Sequence, residues 1–200
     1  MNQVKLQGVV VAARKGKTIT RLTLKVHTNG SDNFPVVSFS TLSKKTAADV
    51  YNVGDMVCVE AKIRPGTERG NSDKVVYYRQ VLEGISIREA SKDELDSKNI
   101  LSTSSRIPHI NDVQVIGEVV SLKPDKNVLS ILICPENEVN NIWVTCFSSN
   151  KVSEIAQKLA PGTNVCIDGE IQTKVIGDLK TGRRFENVIA KSITDINDTF

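Results

Sequence analysis

The sequence predicts an all-β protein with short helices, built as two copies of one small five-stranded barrel. Three observations carry that expectation. GDMVCVEAKI at 54–63 recurs as GTNVCIDGEI at 162–171, an offset of 108 residues. The likeness extends to VVSFSTLSKK at 36–45 against VTCFSSNKVS at 144–153, which pairs Phe39 with Phe147, while Tyr77, Val81 and Ile85 fall opposite Phe185, Ile189 and Ile193. Apolar and polar residues alternate at the period of a strand through both copies, and Gly8 meets Gly117 after a one-residue adjustment. The expected organisation is a first barrel over 1–88, a linker over 89–110, a second barrel over 111–196 and a short tip at 197–200.

The elements follow in order. VKLQGVVVAA at 4–13 alternates around Gly8, and a glycine inside a strand marks a bend or bulge in a tightly coiled barrel. ARKGKT supplies a basic turn. TITRLTLKVH at 18–27 sets Arg21, Thr23 and Lys25 on one face and Leu22, Leu24 and Val26 on the other. TNGSDN at 28–33 is a hairpin-type loop, and FPVVSFS returns as the third strand. SKKTAADVY at 43–51 reads as a short helix with Ser43 as its cap and Gly54 beyond its end. MVCVEAKIR is the fourth strand, PGTERGNSDK a polar loop and VVYYRQVLEGISI the fifth strand.

The second copy repeats the order with VQVIGEVVSL, NVLSILIC, NIWVTCFS, a helix at about 152–159, NVCIDGEIQTKV and RRFENVIAKSI. Between the copies, SKDELDSK fits either a short helix or a flexible linker. Three strands, a helix and two strands is the order of the oligonucleotide-binding fold, a five-stranded Greek-key barrel. The helix position disfavours an SH3-like barrel.

Composition is that of an ordinary soluble globular chain. No apolar run approaches the length of a membrane span and no signal-peptide layout opens the sequence, so a cytoplasmic protein without membrane contact is expected. Cys58, Cys134, Cys146 and Cys166 form no CxxC pair and have no histidine near them in sequence. They read as buried, reduced thiols rather than disulfide partners or metal ligands. His27 and His109 lack a nucleophile or metal context. Neither enzymatic activity nor any metal or cofactor is indicated. Charge is uneven: residues 1–90 hold 14 Lys and Arg against 8 Asp and Glu, whereas 111–200 hold 9 against 12. A basic first copy suits a polyanion.

The chain resembles the bacterial single-stranded DNA-binding protein family. The resemblance rests on MNQVKLQGVV, on an aromatic strand followed by a helix in both copies (FPVVSFSTLSKKTAADVY and NIWVTCFSSNKVSEIAQKL), and on the glycine-valine pattern that follows. Gly162, Val165, Ile167, Gly169 and Ile171 keep that pattern, while the first copy places Ala61 at the second glycine. The resemblance implies sequence-independent binding of single strands, with aromatic rings stacking on bases and cations tracking phosphates.

Carried onto this chain, it makes Phe34, Phe39, Trp143 and Phe147 candidate stacking residues, with one of the adjacent Tyr77 and Tyr78 beside them and the other turned to the core. Candidate cations are Lys15, Lys17, Arg21, Lys25, Arg64, Arg69, Lys74 and Arg79 in the first copy, and Lys174, Lys180, Arg183 and Arg184, next to Phe185, in the second. Members of that family carry a long tail with an acidic tip, whereas here the expected last strand runs straight into TDINDTF. Asp195, Asp198 and Phe200 echo that tail faintly and form a candidate partner-docking tip.

The function expected is coating of single-stranded DNA in replication, recombination or transfer of a bacterial, phage or plasmid genome, with replication or recombination proteins as partners. A homodimer is the implied assembly, and an intramolecular pseudo-dimer stays open because a first strand pairs equally well within the chain. A protein-docking adaptor and an RNA-binding protein are the alternatives.

Overall fold

In a computed structural model, residues 1–28, 31–41, 48–69, 76–90, 109–147, 151–176 and 183–196 are described. The strands are β1 (Asn2–Lys15), β2 (Ile19–Thr28), β3 (Ser31–Asn33), β4 (Val36–Ser40), β5 (Met56–Arg69), β6 (Val76–Glu89), β7 (Ile110–Asp125), β8 (Val128–Pro135), β9 (Ile142–Phe147), β10 (Asn164–Ile176) and β11 (Arg183–Asp195). A 3₁₀ turn (Ala48–Val50) precedes β5, and a short helix α1 (Lys151–Ala156) precedes β10.

Two barrels close in the same way. In the first, β1 pairs with β2 and β5, β2 with β4, β5 with β6, and the parallel contact of Val37 with Leu82 joins β4 to β6. In the second, β7, β8, β9, β11 and β10 close by the same pairings, with Val144 beside Val188 as the parallel contact. Each first strand bulges at the corresponding place, between Val10 and Ala12 and between Val119 and Ser121. The oligonucleotide-binding fold expected from element order is the fold observed.

Local chemistry explains the closure. Alternation places Leu22, Leu24 and Val26 of β2, and Ile131 and Ile133 of β8, wholly inside. At Gly8 a Cβ would lie 2.4 Å from the Lys25 carbonyl oxygen, and at Gly117 it would lie 2.1 Å from that of Cys134, so glycine is what lets neighbouring strands coil this tightly. Gly54 (φ 102°) and Gly162 (φ 92°) turn the chain into β5 and β10. Their amides donate to the Val10 and Val119 carbonyls, docking each turn on the bulge. Asn2 and Asn111 close the other end: each buried amide side chain bonds both the N–H and the carbonyl of one residue, Ile63 and Ile171 respectively, at 2.8–3.0 Å.

Five expectations are corrected. Part of the loop expected at 28–33 is strand, since Ser31–Asn33 form β3 against Val26, His27 and Thr28 of β2. The segment from Pro65 is strand rather than loop, because β5 runs to Arg69 with Pro65 opposite Gln80. β7 likewise runs through Pro124 to Asp125. The first helix is a 3₁₀ turn over the residues described; the segment 42–47 and the linker 91–108 lie outside them. Of the four cysteines, only Cys146 is buried, and burial pushes its thiol up to about 11, while Cys58, Cys134 and Cys166 are half-buried; all four are free.

The register also corrects the repeat alignment at two strands. Leu82, opposite Ile63, answers Val188, opposite Ile171, so Tyr77, Val81 and Ile85 answer Arg183, Asn187 and Lys191 rather than Phe185, Ile189 and Ile193, a slip of two residues that keeps each strand face. The slip between β4 and β9 is a single residue. Ser40 sits opposite Ile19 and Phe147 opposite Val128, so Ser40 is the positional counterpart of Phe147, and Phe39 is that of Cys146. A shift of one residue reverses the face of every side chain in a strand. Phe39 is therefore core, 1% exposed, with its ring over Gly84, where a Cβ would lie 2.1 Å from Cε1. In the second barrel the smaller Cys146 stands in the counterpart position, and Ala190 replaces the glycine. Volume is exchanged between two neighbours so that both cores stay full.

The two barrels share one continuous sheet. β1 runs antiparallel to β7 with Val4 opposite its own counterpart Val113, and Asn2 opposite Val115 mirrors Leu6 opposite Asn111. A pseudo-twofold axis thus passes between Val4 and Val113. The open question of where the first strand pairs is answered within the chain. Beyond that ladder, Glu138 of the β8–β9 loop accepts bonds from Lys62 (2.8 Å) and Arg64 of β5. The Lys62 bond first, and the charge of Arg64, hold the Glu138 carboxyl below its usual range despite its burial.

Candidate nucleic-acid interface

The outward faces of the third strands and their neighbours carry the candidate site. On β9, Ile142, Val144 and Cys146 point inward, leaving Trp143 (41% exposed), Thr145 and Phe147 (36% exposed) on the outer face. Across β8, Trp143 is opposite Leu132, Thr145 opposite Ser130, and Phe147 opposite Val128. Two accessible rings on an apolar, hydroxyl-bearing surface form a platform for flat ligands.

The first barrel presents different chemistry at matching positions. Arg21 of β2 lies between Ser38 of β4 and Arg14 of β1, and Thr23 lies opposite Val36. Arg14, which sequence reasoning did not select, is exposed directly opposite Arg21, a like-charge pair whose repulsion an anion would relieve. Lys15 and Lys17 are exposed nearby, and Lys15 Nζ donates to Asn52 at 3.3 Å. Lys25 pairs with Asp32 at 2.8 Å, and His27 Nδ1 stands 2.9 Å from the same carboxylate. These bonds, that of Lys25 first, lower the Asp32 pKa. His27 and His109, remote in sequence, approach ring to ring at 6.3 Å; burial and the neighbouring His27 depress the His109 pKa.

Other candidates are engaged elsewhere. Arg64 binds Glu83 (2.9 Å) and Glu138, which raises its pKa and ties it to the seam between the barrels. Phe34 and Phe185 are half-buried, and exposed Lys174 sits opposite Phe185 on the β10–β11 ribbon. Arg69, Tyr77, Tyr78 and Arg183 lie in the backbones of β5, β6 and β11, but their side chains, like all of Lys74, Lys180, Asp198 and Phe200, fall outside the description. Asp195 is the half-buried last residue of β11.

The platform is braced across the seam. The Trp143 N–H donates to Gln80 Oε1 at 2.7 Å, and Gln80 Nε2 donates to the Trp143 carbonyl at 3.1 Å. In the opposite sense, the Val36 N–H donates to Glu186 Oε1 at 3.0 Å, with Thr173 Oγ1 donating to Oε2 at 2.8 Å. Burial raises the Glu186 pKa, against these bonds and the nearby charges of Arg184 and Arg79. Val36 and Trp143 are positional counterparts, so both outward faces are fastened to one seam. Nothing in the residue pattern marks Gln80 for this role, because its partner is a backbone segment far away in sequence.

Among the described residues, no group of three or more His, Cys, Asp or Glu is placed to hold a metal ion, and no helix is long and apolar enough to cross a membrane. No protein-family model and no curated protein matches the sequence. Among solved structures, the chain is similar to the wild-type single-stranded DNA binding protein of Thermus aquaticus, with a TM-score of 0.67 at 15% identity, covering 98% of this chain and 92% of that one. A deletion mutant of the same Thermus protein gives a TM-score of 0.67 at 15% identity, covering 98% of this chain and 94% of that one. At this identity the likeness establishes the fold: nearly the whole chain follows the same double-barrel path.

Proposed function

We propose that this chain is a non-enzymatic protein that binds single-stranded DNA without sequence preference and coats it during replication, recombination or transfer of a bacterial, phage or plasmid genome. Residues 1–88 and 111–196 are the two binding units in this reading. The observation that carries it is the exposed pair Trp143 and Phe147, on the outer face of a barrel strand where a small all-β protein would otherwise place polar residues. Every base offers a π-face, so such a surface accepts any sequence, and the cations of the first barrel neutralise phosphates.

Binding of long polydeoxythymidylate should quench Trp143 fluorescence and weaken as salt rises. Failure to bind such a strand at low salt overturns the reading. Competition with polyuridylate separates DNA from RNA preference. The ladder between β1 and β7 already occupies the edges that would join two identical chains, so a homodimer would have to form through another surface.

A further inference from the structure

The two outward faces are matched position by position, and their chemistries are complementary rather than alike. Where β1, β2 and β4 present Arg14, Arg21 and Ser38, the counterparts on β7, β8 and β9 are Lys123, Ser130 and Thr145. Where the first barrel has Thr23 and Val36, the second has Leu132 and Trp143. Ser40 of the first stands where Phe147 stands in the second. The first face therefore concentrates positive charge and lacks a ring at these positions, whereas the second offers two rings and a sparser charge.

We infer that the faces divide the nucleotide between them: the first barrel takes the phosphate backbone through Arg14 and Arg21, and the second takes the bases through Trp143 and Phe147. This rests on the single-strand reading above and goes beyond it by giving each barrel its own part of the ligand. Arg14 and Arg21 are exposed cross-strand partners of like charge, a placement that favours an anion between them, and a phosphate can accept hydrogen bonds from both. The rings of the second face gain little from a phosphate. A bound strand would cross the seam, with stacking on one side and charge neutralisation on the other.

The test uses the full chain, oligodeoxythymidylate, and an abasic oligodeoxyribose phosphate of equal length. Arg21→Ser copies Ser130 into the first face and should lower the salt slope of oligodeoxythymidylate affinity by about one phosphate contact, leaving the depth of Trp143 quenching at saturation unchanged. Phe147→Ser copies Ser40 into the second face; it should weaken oligodeoxythymidylate about 5- to 150-fold, spare the salt slope, and leave affinity for the abasic strand unchanged. Both positions are exposed, and thermal unfolding verifies that each variant folds. If the wild type binds but the two variants alter slope and quenching in the same way, or if Phe147→Ser weakens the abasic strand equally, the division is overturned while the binding reading stands. Absence of binding by the wild type overturns both.

Discussion

Gln80 and Glu186 occupy corresponding places on β6 and β11 and reach across the seam in opposite directions, Gln80 to the Trp143 amide and Glu186 to the Val36 amide. Each inserts a side-chain oxygen where a neighbouring strand would supply a carbonyl. The pairing satisfies two backbone donors at the junction, and it makes the placement of the aromatic platform in one barrel depend on the other.

Gln80→Ala should therefore do more than delete a contact. Both the amide and the carbonyl of Trp143 lose their side-chain partner at a solvent-accessible place, at a cost of about 0.5–1.5 kcal/mol. For a chain of this length that is about 1–6 °C in Tm. Trp143 emission should shift as the strand end loosens, and calorimetry with fluorescence reads both effects. An unchanged Tm and spectrum would remove the bracing role.

Glu186 and Glu138 should give opposite pH dependences. Burial raises the Glu186 pKa, so between its unfolded and folded values the native state holds a proton that the unfolded chain has lost; stability falls as pH rises through that window. Glu138 has a lowered pKa, so its contribution is present above the unfolded value and is lost as pH falls through the folded one. Glu186→Gln should flatten the loss on the alkaline side of the window, and Glu138→Gln the loss on the acid side. Tm measured from pH 3 to pH 8 in both variants checks the signs.

Gly84→Ala should destabilise the first barrel by about 1–3 kcal/mol, because its new methyl group would overlap the Phe39 ring. The double variant Phe39→Cys with Gly84→Ala copies the second barrel and should recover part of that loss. Denaturant titration of Gly84→Ala, Phe39→Cys and the double variant measures the coupling; strict additivity would show that the two positions do not share one volume.

Asn2→Ala and Asn111→Ala each strand a backbone N–H and carbonyl inside the protein, on Ile63 and Ile171 respectively. Each should cost about 2–4 kcal/mol. Urea midpoints that fall by similar amounts would confirm that the two asparagines do the same work at equivalent sites.

Much of this architecture was legible before any coordinates. The period-two alternation located every barrel strand, and the shared glycines and valines of 54–63 and 162–171 announced that β5 and β10 have the same surroundings. The errors have physical causes. Aligning Phe39 with Phe147 followed letter identity, but the connecting segments differ in length between the copies, and one residue of slip turns a core ring into a surface one. Pro65 opened an expected loop and the expected strand VQVIGEVVSL stopped two residues short of Pro124, yet both prolines lie in long two-stranded ribbons where a missing N–H is tolerated. The seam was invisible, since Gln80 and Glu186 act on backbone atoms of remote strands and leave no spacing to read.

The axis between Val4 and Val113 separates two halves that are written once each in a single chain. When identical subunits meet about such an axis, any substitution appears on both sides at once, so a glutamine could not change to glutamate, or a phenylalanine to serine, on one side alone. Here each side varies independently. The seam has already used that freedom, with an amide at 80 answered by a carboxylate at 186, and so have the faces, where Ser40 answers Phe147. Joining the halves turns a symmetric scaffold into one with a direction: a strand lying across it meets a different surface at each end, and so has two distinguishable ways to bind.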